Sequence, residues 1–146
     1  MASELLSRSA EATIRIGRRI GKRLRPGDVL SLEGELGSGK TTLVKGIAQG
    51  LAVSEPVTSP TFTLVTRYRC RLPEGPGELV HVDLYRLRHE LELEDLGLEE
   101  IMSDRDITVI EWGEKACRLL PPQTIRLRLE LEPGGARRIL LEGSRL

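Results

Sequence analysis

Cysteines, aromatics and net charge are all in short supply in this sequence, and asparagine is missing altogether. The two cysteines, Cys70 and Cys117, have no second cysteine or histidine at metal-ligand spacing, so both read as ordinary reduced thiols. One Trp, two Tyr and one Phe cannot furnish a core, and that task falls to Leu, Ile and Val. Lys plus Arg and Asp plus Glu each total 22, giving a formal net charge of zero. No global field therefore pulls the chain toward nucleic acid or an anionic membrane, although a local patch can still bind either. No stretch approaches the roughly 18 apolar residues of a membrane-spanning helix. The opening "MASELLSRSAEATIR" has no apolar signal region. The expectation is a soluble cytoplasmic protein with no membrane contact. Its length suits one domain, 1–146, with a core of its own.

What is present is alternation between helical and strand periods. Ser9 reads as the N-cap of a first helix running to about Arg25, with Thr13, Ile16, Ile20 and Leu24 on one face. Pro26-Gly27 stops it. "DVLSLEG" reads as a short buried strand and "TTLVKGIAQGL" as a helix ending near Gly50. After the loop "AVSEPVTSP", the runs "TFTLVTRYRC" and "LVHVDLY" flank the turn "LPEGPGE", so residues 61 to 85 are expected to form an antiparallel hairpin. "ELELEDLGLEEIM" is acidic and helical in pattern, and "DITVIEW" is an apolar strand suited to the sheet interior. "TIRLRLELEPGGARRILLEG" alternates apolar and charged residues around Pro-Gly-Gly, a second hairpin. Strands interleaved with helices and finished by hairpins predict an α/β fold with a mixed parallel and antiparallel sheet.

The sharpest local signal is "GELGSGKT", Gly34 to Thr41, which fits G-x-x-x-x-G-K-[ST]. A polyphosphate can be held by backbone N–H groups only if the chain curls closely around it, and glycine permits that curl. A helix starting immediately afterwards adds unpaired N–H groups and a positive dipole end. Lys40 can then reach the β- and γ-phosphates, and the Thr41 hydroxyl can ligate Mg²⁺. The motif follows an apolar strand and opens an apolar-periodic helix, the context in which it has this meaning.

Two carboxylates at strand ends extend the chemistry. Glu111 follows "ITVI", where it can bind Mg²⁺ through water or orient the attacking water. Asp83 lies in "HVDLYR", inside an apolar strand where an unpaired charge is expensive. It serves either as a second water-orienting carboxylate or as an ion-pair partner of Arg86 or Arg69. The missing asparagine matters here. Without it there is no N-K-x-D motif of the kind that reads guanine in common GTPases, so ATP is the expected nucleotide.

"GELGSGKTT", "TSPTFTLV", "HVDLYR" and "VIEW", in that order and at these separations, resemble the TsaE family, small bacterial P-loop ATPases required for threonylcarbamoyladenosine (t6A) at position 37 of tRNA. The resemblance runs from about Ser9 to about Ile139. It implies a P-loop NTPase-like three-layer fold and a Mg-dependent ATPase working with the partners TsaD and TsaB, with tRNA reached indirectly through that complex. By resemblance, Gly37, Ser38, Gly39, Lys40, Thr41 and Thr42 hold the phosphates, Thr41 and Glu111 lie at Mg²⁺, and Asp83 is needed for hydrolysis. Thr61 would sense the γ-phosphate in a switch-like loop, and Trp112 would lie near the nucleotide. Adenine would sit between the opening of the first helix, near Glu11, and the turn at Gly134-Gly135. Glu35 and Ser38 depart from the commonest family residues without affecting backbone phosphate binding.

A small-molecule P-loop kinase is the alternative, since it shares the same cradle, but no arginine-rich lid is evident. A non-hydrolysing nucleotide-dependent adaptor is a third reading. Arg67, Arg69 and Arg86 can supply a cation in cis. The basic run Arg15, Arg18, Arg19, Lys22 and Arg23 reads as a solvated face or, alternatively, as a contact for tRNA phosphates or an acidic partner, and the acidic run Glu90 to Glu100 reads as a solvated face. His81 and His89 have no ligand-spaced companions, and His81 reads as structural.

Overall fold

Two segments, Val29–Glu33 and Ile107–Glu111, are buried at every residue, and that pattern requires cover on both faces. The computed structural model, which describes residues 2–58, 64–143 and 146, places them side by side at the centre of a sheet. Its strands are β1 (Ala2–Ser7), β2 (Val29–Glu33), β3 (Val65–Leu72), β4 (Gly75–Asp83), β5 (Ile107–Glu111), β6 (Ile125–Leu131) and β7 (Arg137–Glu142). Their order across the sheet is β1-β7-β6-β2-β5-β4-β3. The four middle strands, β6, β2, β5 and β4, are parallel. Antiparallel strands close both sides: β3 on β4, and β7 then β1 on β6. The predicted mixed sheet is therefore correct.

Helices cover the two faces. On one, α1 (Ala10–Gly21) and α2 (Lys40–Gly50) lie over a core that includes Leu30, Leu43, Ile47, Leu79, Val109 and Leu127. On the other, α3 (Leu91–Leu96) and α4 (Leu98–Ile101) pack with Val80, Val82, Leu84 and Ile110. This is the three-layer α/β arrangement expected from the sequence. Among the described residues no helix is long and apolar enough to cross a membrane.

Four local readings change. Helix α1 does start at the Ser9 cap, whose hydroxyl oxygen accepts the Ala12 N–H at 3.0 Å, but it ends at Gly21 and not near Arg25. The acidic helix is two short ones, because Gly97 at φ 72 ends α3 in a left-handed turn. Strand β1 was not anticipated from "ASELLS": it lies at the sheet edge, with Leu5 and Leu6 partly exposed, and so lacks clean alternation. The first hairpin also turns earlier than expected, since β4 begins at Gly75.

The α1–α2 contact rests on four glycines. A Cβ on Gly17 would lie 2.5 Å from the Leu43 carbonyl oxygen, and one on Gly46 would lie 2.3 Å from the Ile14 carbonyl oxygen. Gly21 and Gly50 repeat the arrangement one turn on. The two backbones thus touch directly, with no flexible side chain available to give way. Replacing Gly17 with alanine adds helix propensity of about 1 kcal/mol but forces the helices apart. We expect Gly17→Ala to lower stability by about 1–3 kcal/mol in urea unfolding; an unchanged or raised midpoint would show that the backbones are not in contact.

The cysteines differ in environment. Cys70 is buried, and that burial, reinforced by Asp106 and Glu78, pushes its thiol up to about 11, whereas Cys117 is exposed. The thiolate is the reactive form. Iodoacetamide at mildly alkaline pH should therefore label one thiol in the native chain, at Cys117, and two after denaturation. Rapid native labelling of Cys70 would contradict its placement.

Candidate functional site

The parallel strands all point their C-terminal ends the same way, and the side chains singled out in the sequence collect there. This is where open α/β sheets bind ligands, in the crevice beyond the strand ends. Strand β2 ends at Glu33 and passes through Gly34–Gly39 directly into α2. Gly39, at φ 102, provides the left-handed turn into the helix. Gly34 is held close to the sheet, since a Cβ there would meet the Leu129 carbonyl oxygen at 2.5 Å. The loop and the strand ends bound a cleft of about 390 Å³, whose lining includes Gly37, Gly39, Lys40, Thr41, Thr42 and Asp83 together with Glu111 and Trp112. A cavity of about 640 Å³ adjoins it, with Leu36 and Trp112 lining both.

Lys40 is folded into the loop. Its ammonium donates to the carbonyl oxygens of Gly34 at 2.5 Å and Glu35 at 2.9 Å, and lies 4.0 Å from the centre of the Trp112 ring. Burial lowers its pKa from the usual lysine value, and the nearby Glu111, Glu114 and Asp83 oppose that shift. Trp112 reaches this position because its own φ is 61, a left-handed turn that swings the ring from the end of β5 toward the loop. Tyr85 packs against it, with ring centroids 5.3 Å apart.

The carboxylates stand on adjacent strands. Asp83 on β4 and Glu111 on β5 are register partners. The Thr41 hydroxyl lies 2.9 and 3.1 Å from the two oxygens of Glu111, so the start of α2 is joined to the end of β5. Glu111 is buried and also meets His81, whose Nε2 is 2.6 Å from its Oε2. Asp83 accepts the Tyr85 N–H at 2.9 Å. Burial raises the Asp83 pKa above the usual carboxylate value; the Tyr85 bond opposes this and the Glu111 charge adds to it. No ion pair joins Asp83 to Arg86 or Arg69 among the described residues, so that alternative is not what is observed.

Hydroxyl and carboxylate oxygens suit a hard divalent cation. Among the described residues no group of three or more His, Cys, Asp or Glu side chains could hold a metal alone. A sparse oxygen donor set of this kind fits Mg²⁺, which keeps several waters and relies on one or two carboxylates plus phosphate oxygens.

Other expected site residues are placed less centrally. Ser38 is buried within the loop. Gly134 and Gly135 form the β6–β7 turn at φ 91 and 90. Glu11 is exposed in the first turn of α1 and does not line the cleft. Even so, Ser7, just before α1, pairs with Arg137 across β1 and β7, so the start of α1 shares an end of the sheet with the loop. Thr61 lies outside the described residues.

Sequence reasoning missed Arg137. Its guanidinium donates to the Ser38 carbonyl oxygen at 3.0 Å, the Gly37 carbonyl oxygen at 3.4 Å and the Gly135 carbonyl oxygen at 3.4 Å, tying the loop to the hairpin turn. Nothing local separates it from its neighbour Arg138, which pairs instead with Glu4 and Glu132. Of the arginines named as cis cations, Arg86 lines the cleft, whereas Arg67 pairs with Glu78 at 3.8 Å.

The model of the family described as "Threonylcarbamoyl adenosine biosynthesis protein TsaE" matches residues 7–139. Among curated relatives, the TsaE protein of Treponema pallidum is 42% identical, the match covering 92% of this chain and 96% of that protein. The TsaE protein of Streptomyces coelicolor is 48% identical over 82% of this chain and 79% of its own length. The crystal structure of YdiB from Bacillus subtilis superposes with a TM-score of 0.76 at 28% identity, covering 98% of this chain and 86% of that one. From the loop geometry and these matches together, the chain belongs to the TsaE family of threonylcarbamoyladenosine biosynthesis proteins.

Proposed function

We propose that this chain is a Mg-dependent ATPase that supports t6A formation at position 37 of tRNA, working with TsaD and TsaB. The observation that carries the ATPase reading is the junction of Thr41 with Glu111 at the head of a glycine loop, beside Asp83. Family membership supports the pathway and resemblance supplies the partners. No feature of the cleft favours the kinase alternative.

Each residue then has a chemical task. The N–H groups of Gly37 to Thr42 receive the phosphate oxygens, aided by the positive end of α2. Lys40 exchanges the carbonyls of Gly34 and Glu35 for phosphate, a better partner for a buried ammonium. Thr41 and Glu111 would hold Mg²⁺, which when bound neutralises charge across the β- and γ-phosphates. Asp83, with its raised pKa, orients the attacking water and accepts its proton. Arg86 and Arg137 line the same cleft and offer positive charge without an external arginine. Trp112 stacks beside the nucleotide and reports on it.

Variants separate binding from turnover. Lys40→Ala should weaken ATP binding by about 10- to 100-fold, the value of a charge-assisted contact. Glu111→Ala should still bind nucleotide while hydrolysis falls about 100-fold or more. Hydrolysis at the parental rate by Glu111→Ala would contradict its assignment. In reconstitution with TsaD, TsaB and unmodified tRNA, repeated cycles of t6A formation should require this chain, and ATP turnover should rise on adding the partners. Multiple turnover without it would remove the pathway role.

A further inference from the structure

Strand β4 is apolar along its buried stretch except at His81. Leu79, Val80 and Val82 are fully buried, as is Leu84 just beyond the strand, and so is the imidazole. A polar ring in such a wall carries a desolvation cost unless it bonds something. It bonds Glu111: Nε2 lies 2.6 Å from Oε2, while Nδ1 has no partner among the described residues. A proton on Nδ1 would be a stranded buried donor, so the geometry assigns the ring proton to Nε2, donated to the carboxylate.

From this we infer that His81 is a positioning residue: it pins Glu111 Oε2 from the dry side and so fixes the carboxylate, whose two oxygens both lie within reach of the Thr41 hydroxyl, with Oε1 left free of the ring for the cation site in the cleft. The inference rests on the ATPase reading above and assigns a part to a residue outside its machinery. Glu111 has two described side-chain partners, and they differ in kind. Thr41 lies at the cleft and has to turn a lone pair toward a cation, so it cannot by itself fix the carboxylate. His81 is fully enclosed and stays in place whether or not the cleft is filled. Partners of this kind behind a ligating carboxylate set its orientation, and their loss weakens metal affinity by roughly 10- to 100-fold. The register supports the geometry: His81 pairs with Val109 and Asp83 with Glu111, so the ring lies one step below the two carboxylates on the same face of the sheet.

The test compares His81→Gln with His81→Asn. A glutamine amide places its nitrogen near the position of Nε2, whereas asparagine falls short. Each variant is loaded with ATP, Mg²⁺ is titrated while Trp112 fluorescence is followed, and kcat, KM and metal-free ATP binding are measured beside it. We expect His81→Asn to need 10- to 100-fold more Mg²⁺ and to lose kcat, with metal-free ATP binding unchanged. His81→Gln should recover most of the loss. A packing role alone would lower thermal stability in both variants and leave the Mg²⁺ midpoint unmoved. Equal Mg²⁺ midpoints for Asn, Gln and the parent overturn the inference, as does an equal loss in both variants. A parent chain that binds no Mg-ATP overturns the ATPase reading and this inference with it.

Discussion

Two buried charges of opposite sign, Lys40 and Glu111, set the terms for the structure around them. Each lies at the end of an element, the lysine opening α2 and the glutamate closing β5, and each is almost wholly buried at the wall of the cleft. Lys40 therefore takes the carbonyls of its own loop, and Glu111 takes the Thr41 hydroxyl and the His81 ring. Leaving either charge without partners would be strongly destabilising. The glycine loop, the strand ends and the left-handed turn at Trp112 can be understood as the means of holding these two groups close to each other without letting them neutralise one another.

That placement depends on the scaffold. Parallel β2 and β5 bring the loop and Glu111 to the same end of the sheet, and β4 adds Asp83 at matching height. Helix α2 can start so close to the strand ends because α1 holds it from behind through glycine-to-backbone contact at Gly17 and Gly21. On the opposite side, Glu33 at the end of β2 is buried and takes the Arg126 guanidinium at 2.8 and 3.0 Å, which ties β2 to β6 just below the loop. A second buried carboxylate thus stabilises the base of the site without lining the cleft.

Much of this was legible in the residues. The glycine loop stated its own chemistry, and the short, mostly apolar runs "VLSLE" and "ITVIE" marked the central strands, which are buried at every residue because helices cover both faces. Features that depend on distant partners were not legible. Arg137 acts on Ser38, 99 positions away, and its local pattern is that of any charged strand residue. Gly17, Gly21, Gly46 and Gly50 read as helix-weakening residues until two backbones are seen in contact. Edge strand β1 was hidden because its apolar residues are not all buried, and Gly97 divided a helix that periodicity alone ran together. His81 was read as structural, and only the 2.6 Å approach to Glu111 ties it to the site.

The central claim is that main-chain amides, one ammonium group and a hydroxyl–carboxylate pair grip the triphosphate of ATP together with its cation. Calorimetric titration of the parent chain with ATP and with GTP, each in the presence and absence of Mg²⁺, addresses it most directly. The account predicts one ATP per chain, tighter with Mg²⁺, and far weaker association with GTP. No association with ATP under either condition would contradict it.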